Sequence, residues 1–324
     1  MFRPSGVIYD LASLAKPLVT APLALAYLDL DSDRRWQLGF HDRAEPLTAR
    51  QLLSHSAGLS PWRPFTGEPV AEQLRRPVGA DPLLRSATVG ESSYSDLGYR
   101  LLAEALEAEL GLGWRQLGSA TSGLAPWPWH PAPVDLPPGR DREAWTEATA
   151  TPFPEPRSGE PHDANARAGM PGHAGFSASP SQFEHAVRVW AGAGWPRRMA
   201  MPTAKTAEGQ VWGLGLLNAQ RGAGRLAEVL ARIPEGLGGV HVMADATVEA
   251  PAAAPALQGS PGEMTGWWYH TGYTGPLLCV RPSDGCVVAL LIHRLGPGGS
   301  LLSEDELRGR RWGLLTRLAD TLLG

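Results

Sequence analysis

In the first third of the chain, apolar residues recur at helical spacing. Residues 11–28 carry one every three to four positions, which predicts a helix, and Pro17 and Pro22 within it predict a kink because each removes a backbone hydrogen bond. Residues 47–55 predict a short helix opened by Thr48 as its cap and closed near Gly58. Residues 97–110 carry the clearest amphipathic pattern, with Tyr94 just ahead and Gly111 as the stop. Residues 125–161 have no period. Their prolines, with Trp127, Trp129 and Trp145, predict a long ordered surface loop, since tryptophan is costly to leave in water. Ser179 and Pro180 form a cap and first-turn pair for a helix reaching about Trp190.

Beyond residue 210 the period changes to that of strands. Residues 211–217, 267–270, 275–281 and 286–293 are short and apolar, and the last two face each other as a hairpin across Pro282-Ser283-Asp284-Gly285. Residues 303–323 predict a covering amphipathic helix with apolar Leu307, Leu314, Leu318 and Leu322. Helices first, then an antiparallel sheet with a helix over it, define an α+β protein. No internal repeat interrupts the pattern.

Composition narrows the function. Hydrophobic residues at 43% and charged residues at 19% fit a globular chain, and a net charge of −4 with scattered arginines gives no footprint for nucleic acid. Neither end has an apolar run long enough to span a membrane, and the first residues lack the order of a secretion signal, so the chain as written is expected in the cytoplasm. Cys279 and Cys286 flank the hairpin turn and are expected as small buried hydrophobes with no disulfide, metal or redox role.

The positive charge is distributed unusually: two lysines stand against twenty-seven arginines, and one of the two is Lys16, three residues after Ser13. Lysine gives up its proton when desolvated, whereas arginine in effect does not. On a helix, positions i and i+3 share a face, so a neutral Lys16 can take the Ser13 hydroxyl proton and activate the oxygen for acyl transfer. Such a pair arises often by chance and needs support. Tyr94, in a loop before a helix, can hydrogen-bond both groups and relay the proton to a leaving group. The backbone N–H groups of Ser13 and Tyr273 are candidate oxyanion donors, with Gly272 allowing a substrate close to the backbone.

The order of these motifs resembles the serine β-lactamase and penicillin-recognising superfamily, and within it the class C, esterase and D-alanyl-D-alanine carboxypeptidase-like branch. The resemblance rests on Ser13-Leu14-Ala15-Lys16, Leu52-Leu53-Ser54-His55-Ser56-Ala57-Gly58-Leu59, Tyr94-Ser95-Asp96 and His270-Thr271-Gly272. Asn165-Ala166-Arg167, Gly172-His173-Ala174-Gly175-Phe176-Ser177 and Trp212-Gly213-Leu214-Gly215-Leu216 extend it over nearly the whole chain. It implies a single β-lactamase-related domain of the β-lactamase/transpeptidase-like fold, with a helical lobe at about 31–200 and an α/β lobe from 1–30 and 201–324. Ser13 is then the nucleophile, Lys16 its base and Tyr94 the proton relay. Asp96, His270, Thr271, Gly272 and Tyr273 are the substrate-binding residues, and neither cofactor nor metal is implied. Lys205-Thr206-Ala207 imitates the strand motif without its glycine or its hairpin.

Three positions depart from the family pattern. Only twelve residues precede Ser13, where relatives have a strand pair, which predicts a sheet with an exposed edge. Pro17 disfavours helical geometry at Lys16. Asp96 stands where asparagine is usual, and a carboxylate there favours charged lysine. His55 is expected to bridge loops, and His162, Asp163 and His173 to order a loop in preference to binding a metal. The expected function is hydrolysis of a small ester or amide through a Ser13 acyl-enzyme, esterase- or peptidase-like because His270 replaces the lysine that meets a substrate carboxylate. The alternative is a catalytically silent binding or scaffold protein on the same fold.

Overall fold

Pro17 and Pro22 shape the start of the chain. In the computed structural model, β1 (Ile8–Asp10) leads into a 3-10 turn at Ala12–Leu14, a π turn at Lys16–Thr20 and helix α1 at Ala21–Tyr27. The expected kinked helix is therefore three pieces of different pitch. Pro17 offers no N–H, and its ring would press on the carbonyl four residues back; the wide π turn, closed by the Ala21 N–H on the Lys16 carbonyl, gives it room. Pro22 lies in the first turn of α1, where a missing donor costs nothing. The structure describes residues 8–40, 45–62, 89–114, 149–150, 162–167, 172–220, 225–245, 264–296 and 299–323. The expected loop at 125–161, with Trp127, Trp129 and Trp145, lies outside them apart from the short strand β2 (Thr149–Ala150).

The Thr48 and Ser179 caps and the Gly111 stop act as the sequence predicts. Thr48 opens α2 (Ala49–Leu53) with a reciprocal box to Gln51, and Ser95 opens α3 (Asp96–Leu110) by accepting the Gly98 N–H. Gly111, in the left-handed conformation, ends α3. After the single turn α4 (Ala164–Arg167) and strand β3 (Ser177–Ala178), Ser179 and Gln182 box the start of α5 (Pro180–Gly192), which is followed by α6 (Trp195–Met199). The three strands met so far form a small sheet in the order β2-β1-β3.

Among the described residues the main sheet has seven strands: β4 (Ala204–Lys205), β5 (Val211–Trp212), β6 (Leu217–Gln220), β7 (Val240–Asp245), β8 (Met264–Thr271), β9 (Leu277–Arg281) and β10 (Cys286–Ile292). Their order is β4-β5-β6-β8-β9-β10-β7. The single strand expected at 211–217 is instead two antiparallel strands, because the chain turns back with the Gly213 N–H on the Leu216 carbonyl. β7 escaped the sequence reading, and it bears on the expected exposed edge. It lies parallel to β10 and covers that side of the hairpin with a segment from inside the chain. Residues 240–244 are only half-buried, and His241 and Asp245 dilute the apolar signal in the sequence.

Alternation along the hairpin explains why both of its strands are apolar throughout. Val287, Ala289 and Leu291 of β10 and Leu278 and Val280 of β9 join one core with residues 11–24, α3 and α5. Cys286, Val288, Leu290, Leu277 and Cys279 face the other way, against α7 (Arg225–Ala231) and the C-terminal helix α8 (Glu304–Leu323) through Val229, Leu230, Leu307, Leu314 and Leu318. A sheet covered on both faces has no polar side to show. Both cysteines are buried and unbridged, and burial pushes the Cys286 thiol up to about 11.

The hairpin supplies a paired test. Gly285 has φ +72 and open space around its missing side chain, whereas Gly275 has φ +134 and a Cβ there would drive into the Ile292 carbonyl. Gly285→Ala should cost about 1 kcal/mol of unfolding free energy from conformation alone, and Gly275→Ala at least about 2–3 kcal/mol in urea titrations.

Candidate active site

Asp10 fixes the turn that presents Ser13. Its Oδ1 accepts the Ala12 N–H at 2.8 Å, its Oδ2 accepts the His162 N–H at 2.7 Å, and its carbonyl accepts the Thr274 hydroxyl at 2.6 Å. Ala12 is held at φ +44, an unfavourable conformation for a residue with a side chain, and the Asp10 bond is part of what holds it there. Ser13 follows, partly exposed, with Lys16 one turn on and wholly buried.

Around these two side chains the polar atoms converge. Lys16 Nζ lies 3.0 Å from Ser13 Oγ, 3.0 Å from the His173 carbonyl and 2.6 Å from Asp96 Oδ1. Tyr94 donates its phenol to Ser13 Oγ at 2.9 Å. The contact expected to suffer from Pro17 is therefore made, because the π turn takes up the distortion beyond Lys16. Burial lowers the Lys16 pKa from its ordinary 10.5, with Asp96 opposing as the largest counterweight. Burial, helped by Asp96, also pushes the Tyr94 phenol well above its ordinary range, so it stands as a neutral donor near pH 7.

The substrate-strand residues fall into two groups. Tyr273 lines the cleft beside Ser13, and the backbone N–H groups of both residues are without an acceptor among the described residues. Gly272 permits a close approach, but of a different kind from the one expected: the nearest atoms to a Cβ there would be the Leu11 carbonyl and the Pro276 ring, so the hairpin loop docks on the turn after β1. His270 is 4% exposed and does not line the cleft. It packs 6.0 Å from Tyr94 and donates Nδ1–H to the Thr271 carbonyl at 2.9 Å, and burial drives its pKa down to about 3. Thr271, at the end of β8, pairs with Leu277. Lys205 lies exposed on edge strand β4.

His55 bridges loops as expected. At φ +56 it accepts the Ser95 N–H on Nδ1 at 3.0 Å and packs against Tyr94, Tyr99 and Trp212, which fixes the approach of Tyr94. Asp163 and His173 pair with each other at 2.7 Å, and among the described residues no three such groups converge as metal ligands. Trp62 was not legible as a site residue; its Nε1–H meets Asp163 Oδ2 at 2.9 Å, and it lines the cleft with Ser13, Asp96, Asp163, His173 and Tyr273. That cleft has a volume of about 430 Å³. Burial opposes the Asp163 charge, but hydrogen bonds from His173, Ala166 and Trp62 outweigh it and hold the carboxyl well below the usual carboxylate range.

With this geometry in place, the comparisons with known proteins identify the group. The beta-lactamase family model matches residues 6–310, and the chain belongs to the beta-lactamase family. Similar solved structures include a class C beta-lactamase, at 14% identity and TM-score 0.59 over 99% of this chain and 84% of that one. The D-amino acid amidase of Ochrobactrum anthropi SV3 aligns at 14% identity and TM-score 0.55 over 99% of this chain and 86% of its own. SurE with D-Leu aligns at 20% identity and TM-score 0.55 over 98% of this chain, which spans 64% of that structure. At these identities the likeness shows the β-lactamase/transpeptidase-like fold. No curated protein matches the chain.

Asp96 tests the electrostatics. Its carboxylate raises the Lys16 pKa against the larger effect of burial, so removing the charge leaves burial less opposed. Asp96→Asn should lower the Lys16 pKa further, and the rising limb of the kcat/KM profile of an ester should move to lower pH. A limb that stays in place or moves up would show that Asp96 does not act on the lysine charge.

Proposed function

We propose that the chain is a metal-independent serine hydrolase that cleaves a small ester or amide through a Ser13 acyl-enzyme. The observation that carries this reading is the hydrogen-bonded series Tyr94–Ser13–Lys16, at 2.9 and 3.0 Å, in which the lysine is fully buried. With Lys16 neutral and an N–H donated to the His173 carbonyl, its lone pair receives the Ser13 proton. Ser13 Oγ then bonds the substrate carbonyl carbon. The Ser13 and Tyr273 amides receive the oxyanion, the bond to the leaving group breaks, and Tyr94 gives that group its proton and is replenished from Lys16. Water reverses the sequence and releases the acid.

Esterase- or peptidase-like action fits better than β-lactamase action. His270 stands where a lysine would meet a substrate carboxylate, and it is buried and neutral. A second reading, a silent binding protein, draws on one observation: three oxygens within 3.0 Å of Nζ suit a charged ammonium, which is no base. Burial at 0% exposure argues the other way.

Turnover decides between them. An activated ester should be hydrolysed with a burst of about one equivalent, and Ser13→Ala should abolish the burst and lower turnover about 10³-fold or more. Lys16→Arg should lose about as much as Lys16→Ala, each about 10²–10⁴-fold, because arginine keeps the charge but is no base. Equal turnover by Ser13→Ala would end the enzyme reading, and retained activity in Lys16→Arg would make Lys16 an electrostatic group only.

A further inference from the structure

The wall of the Ser13 cleft is acidic. It carries the carboxylates of Asp96 and Asp163, 17% and 16% exposed, and among the described residues it includes no lysine or arginine. Lys16 lies behind the wall with no exposure, and in its neutral, base-competent form it leaves the Asp96 charge uncompensated. Arg294, over the Tyr273 ring at 4.2 Å, is 7% exposed and turned to Glu304 at 3.3 Å. An anionic substrate group therefore meets no lysine or arginine on the described wall.

Two further features point to what the cleft accepts. His173, 2% exposed, is part of the same wall and directs Nε2 to Asp163, while its Nδ1 has no partner among the described residues. Trp62, held to Asp163 through its Nε1–H, is 41% exposed, so much of its indole stands at the cleft beside the carboxylate. A carboxylate next to an exposed indole suits an ammonium group, through charge on one side and the ring face on the other.

We propose that the substrate is a cationic ester or amide whose acyl part carries an ammonium group, held in this cleft by Asp163 with Asp96 and the Trp62 indole around it. The assignment to the acyl part follows from the wall itself. Tyr273, the oxyanion donor, lies on it, whereas Tyr94, the donor to the leaving group, does not. The proposal rests on the Ser13 hydrolase reading and names the substrate class for that site. A free amino-acid ester or amide is the simplest such molecule, and the cleft volume of about 430 Å³ admits one.

The test uses three methyl esters of leucine, in both enantiomers, that differ only at nitrogen: free amine, N-acetyl and N-succinyl, which present a cation, a neutral group and an anion. At pH 7 and low salt, kcat/KM should fall in that order, with about tenfold or more between the first and the last, the factor that accompanies 1.4 kcal/mol. The preference should shrink as salt is raised on the unmodified protein, and Asp163→Asn should pull the ratio of the free to the acetylated ester toward one. Because Asp163 also anchors a loop, the salt series on the unmodified protein stands as the second measurement. Equal or faster hydrolysis of the succinyl ester, abolished by Ser13→Ala, would overturn this proposal while leaving the hydrolase reading intact. No turnover of any of the three, with no burst from an activated ester, would overturn both.

Discussion

A lysine amine with no solvent exposure is the constraint on which the rest of the site depends. Taking an ammonium out of water is costly, and the group escapes that cost by losing its proton or by finding close acceptors. Lys16 is placed between these outcomes. Burial favours the neutral amine, while Asp96 at 2.6 Å favours the cation. A base that works near neutral pH needs such a balance, because a lysine at its ordinary pKa is almost wholly protonated there.

The fold supplies the scaffold for that balance from several distant parts of the chain. The π turn lets Lys16 precede a proline and still reach Ser13, and Trp190 of α5 anchors the turn by donating to the Pro17 carbonyl at 2.9 Å. Asp10 ties the strained Ala12 and the His162 backbone to its carboxylate and Thr274 of the hairpin loop to its main-chain carbonyl, so Ser13, the acidic wall and the hairpin loop are fixed to one another through one buried residue. His55, itself in the left-handed region, seats the Tyr94 loop by accepting the Ser95 N–H. Groups held this way need little reorganisation when charge develops on them.

Much of this was legible in the sequence where a single physical signal sufficed. Thr48 and Ser179 capped the helices they announced, and Gly111 ended one, because capping is local chemistry. Ser13, Lys16 and Tyr94 were legible because lysine is so rare in this chain and because the order of motifs resembles a known family. What escaped depends on tertiary context. β7 is a half-buried strand recruited from a distant segment, and the turn at 213–216 splits what the composition presents as one strand. Trp62 follows the Leu52–Leu59 motif without belonging to it, and only the fold brings it to Asp163. Gly272 was legible as a close-approach glycine, but its neighbour, the Leu11 carbonyl, was not.

If Lys16 is the base, burial must outweigh Asp96. The chain has only two lysines, Lys16 and the exposed Lys205, so lysine labelled at Cε and Nζ gives two side-chain signals to follow by NMR as pH is raised. The account predicts that the Lys16 signal titrates below its ordinary 10.5 and that Asp96→Asn moves it lower still. A Lys16 midpoint at or above 10.5 would contradict it, because the amine would then remain an ammonium at any pH where the protein works.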